Sequence, residues 1–258
     1  MNPQTAAVAL AAAREAAAAA AEIITHYWHR GVAVEWKADA TPVTVADREA
    51  EQAIRRVLQA ALPQSSIYGE EFGLQGERGD LLWLVDPLDG TKSFVRRTPF
   101  FSTQIALMEG DELVLGVSSA PVYGETMWAS AGQGAWRDGE RVRVADTTAM
   151  AQASISTGNV RTLTGDARWG MLGALIRDSN RIRGYGDFCH YHLLARGSLD
   201  LVIESDVNIL DIAALAVIVR EAGGVFSDLE GAPLTLETRS VLAGTPAIHA
   251  QALERLQR

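Results

Sequence analysis

The apolar positions of this 258-residue chain change their period several times. From Thr5 to His29 they recur at helical spacing, in a stretch rich in alanine, the best helix former. A short loop follows around Lys37 to Pro42. Thr44 then offers an N-cap for a second helix that runs to about Ala61 and ends by Pro63. Two strand-like runs come next, Ser66 to Tyr68 and Leu81 to Val85, each ending directly in acidic residues. From Phe101 to Val144, β-type runs alternate with glycine turns such as Met108-Glu109-Gly110-Asp111 and Arg137-Asp138-Gly139-Glu140. That pattern predicts an antiparallel meander.

The second half interleaves its elements. Strands are predicted at Ser154 to Thr157, Arg181 to Arg183, Leu199 to Glu204, Val225-Phe226 and Ser240 to Ala243. Helices are predicted at Ala167 to Arg177, Phe188 to Ala195 and Asp211 to Ala222, the last ending at Gly223-Gly224. A final helix starts after the Thr245-Pro246 cap. Blocks of strands and helices in this order give an α+β or layered α/β class. The length suits one domain over 1–258, with an N-terminal lobe of about 1–148 and a C-terminal lobe of about 149–258. Asp146-Thr147-Thr148 interrupts the pattern between them.

Charge narrows the partners. With 23 basic and 32 acidic residues the net charge is −9, so the bulk field repels nucleic acid and anionic membranes. A small anionic substrate would need a local device, such as a metal, to overcome that field. The single cysteine, Cys189, excludes an internal disulfide framework and fits a reducing compartment. No basic residue precedes the first Ala/Val/Leu run, and Arg14 and Glu15 split it, unlike a signal peptide. No window offers the roughly 18 apolar residues of a membrane span. A cytoplasmic protein is expected.

The densest chemistry lies at Trp83-Leu84-Val85-Asp86-Pro87-Leu88-Asp89-Gly90-Thr91. An apolar strand emerges into two aspartates three residues apart. Pro87 fixes the backbone between them, and Gly90 permits a close approach to a ligand. Two carboxylates held near each other stay ionised only if a cation sits between them, and hard oxygen ligands suit Mg²⁺. The N–H groups of Gly90 and Thr91 form a candidate anion-binding turn beside that cation. D-P-x-D-G is also ordinary turn chemistry. Further acidic candidates are Glu70 and Glu71 after Gly69, Asp211 in the first turn of an apolar helix, and Asp47 three residues after Thr44. Read singly, Asp211 complements a helix dipole and Asp47 completes a capping box.

Together these elements resemble the inositol monophosphatase family of Mg²⁺-dependent, lithium-sensitive phosphatases. Gly69-Glu70-Glu71 resembles its G-E-E element, and Asp86-Pro87-Leu88-Asp89-Gly90-Thr91 its D-P-[IL]-D-G-T signature. Asp211-Ile212-Ala213-Ala214, continuing to Glu221-Ala222-Gly223-Gly224, resembles W-D-x-A-A…E-A-G-G. Lys37-Ala38-Asp39 with Thr44-Val45-Ala46-Asp47 resembles K-x-D…T-x-x-D. Leu210 departs from the pattern, which usually has a packing Trp there. The resemblance implies a layered αβαβα sandwich, commonly dimeric. Glu70, Asp86, Asp89, Asp211 and the Leu88 carbonyl would hold two or three Mg²⁺ ions. Thr91, hydrogen-bonded to Asp47, would orient the attacking water for in-line displacement, with no phospho-enzyme and with Glu70 beside it in the catalytic set.

Within the family, Lys92-Ser93-Phe94-Val95-Arg96-Arg97 and Gly184-Tyr185-Gly186-Asp187-Phe188 look most like the histidinol-phosphate phosphatase branch. That substrate carries an amine and an imidazole, both able to be cationic. Asp187 and Glu204 would pair with them. Asp187 also fits a helix N-cap, and Glu204 a strand-end surface charge. Inositol monophosphate, a 3′,5′-bisphosphate nucleotide, or a non-catalytic phosphate-binding role are the competing expectations. His26 and His29 could form a metal pair but show no third ligand. His190 and His192 read as substrate-stacking or partly buried residues, and Arg96-Arg97 as a phosphate or partner contact or a solvated loop.

Overall fold

The computed structural model describes residues 1–31, 34–36 and 42–257, so the Lys37-Ala38-Asp39 element lies outside the described residues. Helix α1 (Pro3–Arg30) starts behind the Asn2 side chain, which accepts from the Thr5 amide at 2.9 Å. Its inward face is almost all alanine, including Ala9, Ala13, Ala16 and Ala20, each 0% exposed. Small side chains let the partner helix α2 (Val45–Ala61) lie close against it. Between them in sequence, β1 (Val34–Trp36) pairs antiparallel with β2 (Pro42–Thr44), and the loop expected around Lys37 to Pro42 lies almost wholly outside the described residues.

The large sheet comprises β3 (Ser66–Gly69), β4 (Gly73–Gln75), β5 (Leu81–Asp89), β6 (Ser102–Glu109), β7 (Glu112–Ala120), β8 (Glu125–Ser130), β9 (Ala135–Arg137) and β10 (Glu140–Val142). Its order is β10-β9-β8-β7-β6-β5-β3-β4. The expected meander is antiparallel from β5 to β10, while β3 runs parallel to β5. A short helix α3 (Thr91–Val95) follows β5.

The small sheet is built from β11 (Ser154–Gly158), β12 (Arg181–Arg183), β13 (Leu201–Ser205), β14 (Val225–Ser227) and β15 (Ser240–Gly244), in the order β12-β11-β13-β15-β14. Between its strands come α4 (Val160–Leu163), α5 (Trp169–Asp178), α6 (Asp187–Ala195) and α7 (Ile209–Glu221), and α8 (Pro246–Leu256) closes the chain. The α1/α2 pair covers one face of the large sheet. Helices α6 and α7 fill the space between the sheets, and α5 with α8 covers the outer face of the small one. This is the expected αβαβα sandwich.

Strand parity sorts the layers. Along β5, Trp83 and Val85 pack toward α1/α2, whereas Leu82 and Leu84 pack into the central layer. Asp86 shares the parity of Leu84. Along β13, Val202 joins the central layer while Leu201 and Ile203 face α5/α8, so Glu204 shares the parity of Val202. Both strands therefore deliver their terminal carboxylates to the layer that α7 occupies.

The close α1 face generates a prediction. Ala16→Leu should lower stability by about 1–3 kcal/mol through overpacking, whereas Ala18→Leu on the exposed face should change it by less than about 0.5 kcal/mol. Urea unfolding of the two variants measures the difference; equal effects would contradict the packing described.

Candidate active site and metal centre

The site begins with an irregularity in β5. Residues three apart on a regular strand point to opposite faces. Here Asp86 pairs with Gln104 and Asp89 with Ser102, so β5 holds one residue more than β6 across that interval. The bulge turns Asp89 to the side that Asp86 already faces. Pro87 occupies it at no cost in ladder hydrogen bonds, and its carbonyl accepts from Thr103 Oγ1 at 2.8 Å. The Leu88 amide closes an Asx turn on Asp86 Oδ1 at 2.9 Å. The turn and the cluster readings of D-P-x-D-G are thus both realised.

Asp211 joins from α7. One carboxylate oxygen each from Asp86, Asp89 and Asp211 lies within 4.8 Å of the others. Asp211 Oδ2 accepts from the Asn208 amide at 3.0 Å, and Oδ1 from Asn208 Nδ2 at 2.7 Å, so the helix cap itself aims the carboxylate. The same device operates on α2. Asp47 Oδ2 accepts from the Thr44 amide at 2.8 Å and from its hydroxyl at 2.6 Å, while Oδ1 lies 3.1 Å from Thr91 Oγ1. Thr91 Oγ1 is also 2.9 Å from the Leu88 carbonyl. Its single proton can serve one of these acceptors at a time.

Glu70 follows β3, its amide donating to the Val85 carbonyl at 3.1 Å. It is exposed at the mouth of the cluster, and its carboxyl hydrogen-bonds Asp86. Gly90 opens α3 with φ 85°, and a Cβ there would stand 2.6 Å from the Phe100 carbonyl, so only glycine fits. The first amides to turn back onto Gly90 O are those of Ser93 and Phe94, at 2.8 and 3.0 Å.

Asp187 and Glu204 meet the cluster along a cavity of about 40 Å³, shared with Asp89, Asn159, Tyr191 and Asp211. Glu204 is not a surface charge: it is 4% exposed, and its Oε2 accepts from Tyr191 Oη at 2.6 Å and lies 3.0 Å from His190 Nε2. Asp187 is not a side-chain cap either. Gly186 holds the N-cap position, and Asp187 itself adopts φ 47°. His190 and His192 are fully buried rather than partly so, and His192 bridges Glu125 Oε1 and Ser118 Oγ at 2.8 Å each. His26, His29 and Arg96 are exposed, and Leu210 is buried in the central layer. Sequence reasoning missed Tyr191 and Asn159 at the cavity, neither of which left a local signal.

The electrostatics follow from crowding. Burial, then the charges of Glu70, Asp89 and Asp211, push the Asp86 carboxyl far above its ordinary range. Burial, then Asp187 and Asp211, do the same for Asp89. Burial and the neighbouring Glu70 and Glu204 lift Asp211 to about 7 against its Asn208 hydrogen bonds. Burial and Glu204 bring Asp187 to about 6, with His190 and Lys92 pulling the other way. Anionic oxygens in such excess would suit a hard divalent cation.

The sequence profile of the inositol monophosphatase family matches residues 6–258. The chain is 41% identical over 209 residues to a histidinol-phosphatase of Streptomyces coelicolor, covering 78% of each chain. It is 37% identical to a histidinol-phosphatase of Mycobacterium tuberculosis, covering 86% of this chain and 87% of that one. The solved extragenic suppressor protein suhB of Bartonella henselae superposes with a TM-score of 0.86 at 30% identity, over 96% of this chain and 97% of that one. The chain belongs to the inositol monophosphatase family, whose members are generally metal-dependent.

A carboxyl whose pKa is raised on folding stabilises the folded state fully below its unfolded value of about 4, and that contribution is lost as pH rises through the folded value. The metal-free protein should therefore lose thermal stability between about pH 4 and 7, the window set by Asp211. Adding a divalent cation near the upper end should restore stability and release protons. Calorimetry in buffers of different ionisation enthalpy reads that release; identical heats would contradict it.

Proposed function

We propose that this protein is a Mg²⁺-dependent phosphate monoester hydrolase that converts L-histidinol phosphate and water to L-histidinol and phosphate, in histidine biosynthesis. The observation that carries the substrate is the second acidic pair: Asp187 and Glu204 share one small cavity with Asp89 and Asp211. A neutral polyol would not need Asp187, although its hydroxyls could donate to Glu204. A substrate bearing an amine and an imidazole supplies the cations both carboxylates lack. The two histidinol-phosphatase relatives support the same choice.

In this reading Glu70, Asp86, Asp89, Asp211 and the Leu88 carbonyl hold two or three Mg²⁺ ions. When bound, Mg²⁺ neutralises phosphate oxygens and makes water a better nucleophile. The chain's own groups do the rest. With the Leu88 carbonyl engaged elsewhere, the Thr91 proton goes to Asp47 Oδ1, and the free lone pairs of Thr91 Oγ1 accept from the attacking water and orient it. The amides of Gly90 and Thr91 face the phosphate. Glu204, fixed by Tyr191 and His190, and Asp187 grip the cationic end. Burial of both carboxylates strengthens those contacts over the same pair in water.

The chain is read as a homodimer whose lobes join near residue 148. Among the described residues no helix is long and apolar enough to cross a membrane. With the buried lone Cys189 this supports a cytoplasmic setting.

A panel of L-histidinol phosphate, inositol 1-phosphate and 3′-phosphoadenosine 5′-phosphate tests the substrate, with EDTA and Mg²⁺ arms testing catalysis itself. Histidinol phosphate should be preferred, and EDTA should abolish release. Asp187→Ala or Glu204→Ala should raise KM for histidinol phosphate about ten- to a hundredfold, the worth of a charge-assisted contact, and leave hydrolysis of a generic phosphate ester nearly unchanged. Equal losses on both substrates would refute the assignment. No phosphate release from any ester would favour a phosphate-binding role instead.

A further inference from the structure

The face of α2 that carries Asp47 continues through Glu51 and Arg55, at four-residue steps that stack side chains along one side of a helix. The site described above uses neither. Both are buried, Glu51 at 0% and Arg55 at 9% exposure. Arg55 Nε donates to Glu51 Oε1 at 2.7 Å, and its Nη2 stands 2.7 Å from the same carboxylate. The pair does not close on itself. Glu51 Oε2 accepts the Glu71 amide at 2.7 Å, and Arg55 donates to the Gly73 carbonyl at 2.7 Å and to the Ile67 carbonyl at 3.4 Å. These contacts grip the chain on both sides of Glu70. Gly69 makes the room: a Cβ there would lie 2.0 Å from Glu51 Oε1.

A buried ion pair is a poor source of stability, since apolar residues of equal volume serve as well or better. This one has a geometric output. Glu70 is exposed at a strand end and followed by a turn, so the backbone on either side of it sets where its carboxylate stands. We propose that the Glu51–Arg55 pair is the positioning device for Glu70: it locks the backbone from Ile67 to Gly73 so that the Glu70 carboxylate stands against Asp86, and thereby sets the affinity of the acidic cluster for its cation. The inference rests on the reading of Glu70 as a cation ligand. Preorganisation is the physical reason, because a ligand already in place loses no freedom when the ion arrives. Partners that orient metal ligands commonly govern affinity by about ten- to a hundredfold.

The double variant Glu51→Gln/Arg55→Met removes both charges together and leaves neither stranded. Arg55→Lys keeps the charge but lacks the fork that reaches Gly73 and Ile67. Mn²⁺ binding to the full chain and both variants is read from the electron paramagnetic resonance of the free ion. Thermal unfolding of the metal-free proteins and hydrogen exchange of the 69–73 amides are measured alongside. The double variant should bind Mn²⁺ about tenfold or more weakly, Arg55→Lys several-fold more weakly, with exchange protection lost chiefly at 69–73. Variants that unfold at lower temperature yet bind Mn²⁺ as tightly as the parent protein would overturn the proposal and leave a merely structural pair. If the double variant does not fold, Arg55→Lys decides by the same criterion. A parent protein that binds no Mn²⁺ would remove the cation reading itself, a failure distinct from unchanged variants.

Discussion

Like charges brought together out of water repel, and this structure places that repulsion at one spot. Asp86, Asp89 and Asp211 converge within 4.8 Å, with Glu70, Asp187 and Glu204 around them. Nothing in the core of a protein benefits from such an arrangement by itself, because each ionised neighbour raises the cost of the next. The cluster is tolerable only when protonated or when a cation sits within it. In the proposed reading that local penalty is offset by a bound cation, which would also attract a phosphate that the bulk charge of −9 repels.

Rigid devices keep the carboxylates from relaxing apart. One extra residue in β5 turns two aspartates the same way. Two capping boxes, Thr44 with Asp47 and Asn208 with Asp211, tie an acidic side chain to its own helix N-terminus; Asp47 keeps Oδ1 for Thr91, while Asp211, held through both oxygens by Asn208, still stands beside Asp86 and Asp89. Strand parity sends Asp86 and Glu204 into the central layer, where α7 and α6 supply Asp211, Asp187 and the Tyr191 and His190 that fix Glu204. Each local choice of cap, bulge and parity points the same way, as expected of a sequence selected for one site geometry.

Much of this was legible beforehand, for identifiable reasons. The Ala-rich α1, the capped α2 and the apolar α7 announced themselves by periodicity, and the D-P-x-D-G-T run named the centre. Short elements escaped. The β1–β2 hairpin, β4, α3 and α4 span only three to five residues each, too few for a period to register. Read singly, Asp47 completes a capping box and Asp211 complements a helix dipole; in the structure both are capping-box residues that also reach the acidic cluster, Asp47 through Thr91 and Asp211 beside Asp86 and Asp89. The sequence leaves Asp187 between helix N-cap and site, and Glu204 between surface charge and site. Burial there comes from α6 packing over β13, a tertiary contact with no local signature. Tyr191 was hidden for the same reason, among helix residues buried on nearly every side.

The account stands or falls on whether a cation occupies the acidic cluster. Crystals of the protein grown with Mn²⁺ and measured for anomalous scattering answer this directly. Anomalous peaks are expected in contact with the carboxylates of Asp86, Asp89 and Asp211. Their absence from that position, with the three side chains turned away from one another toward solvent, would contradict it.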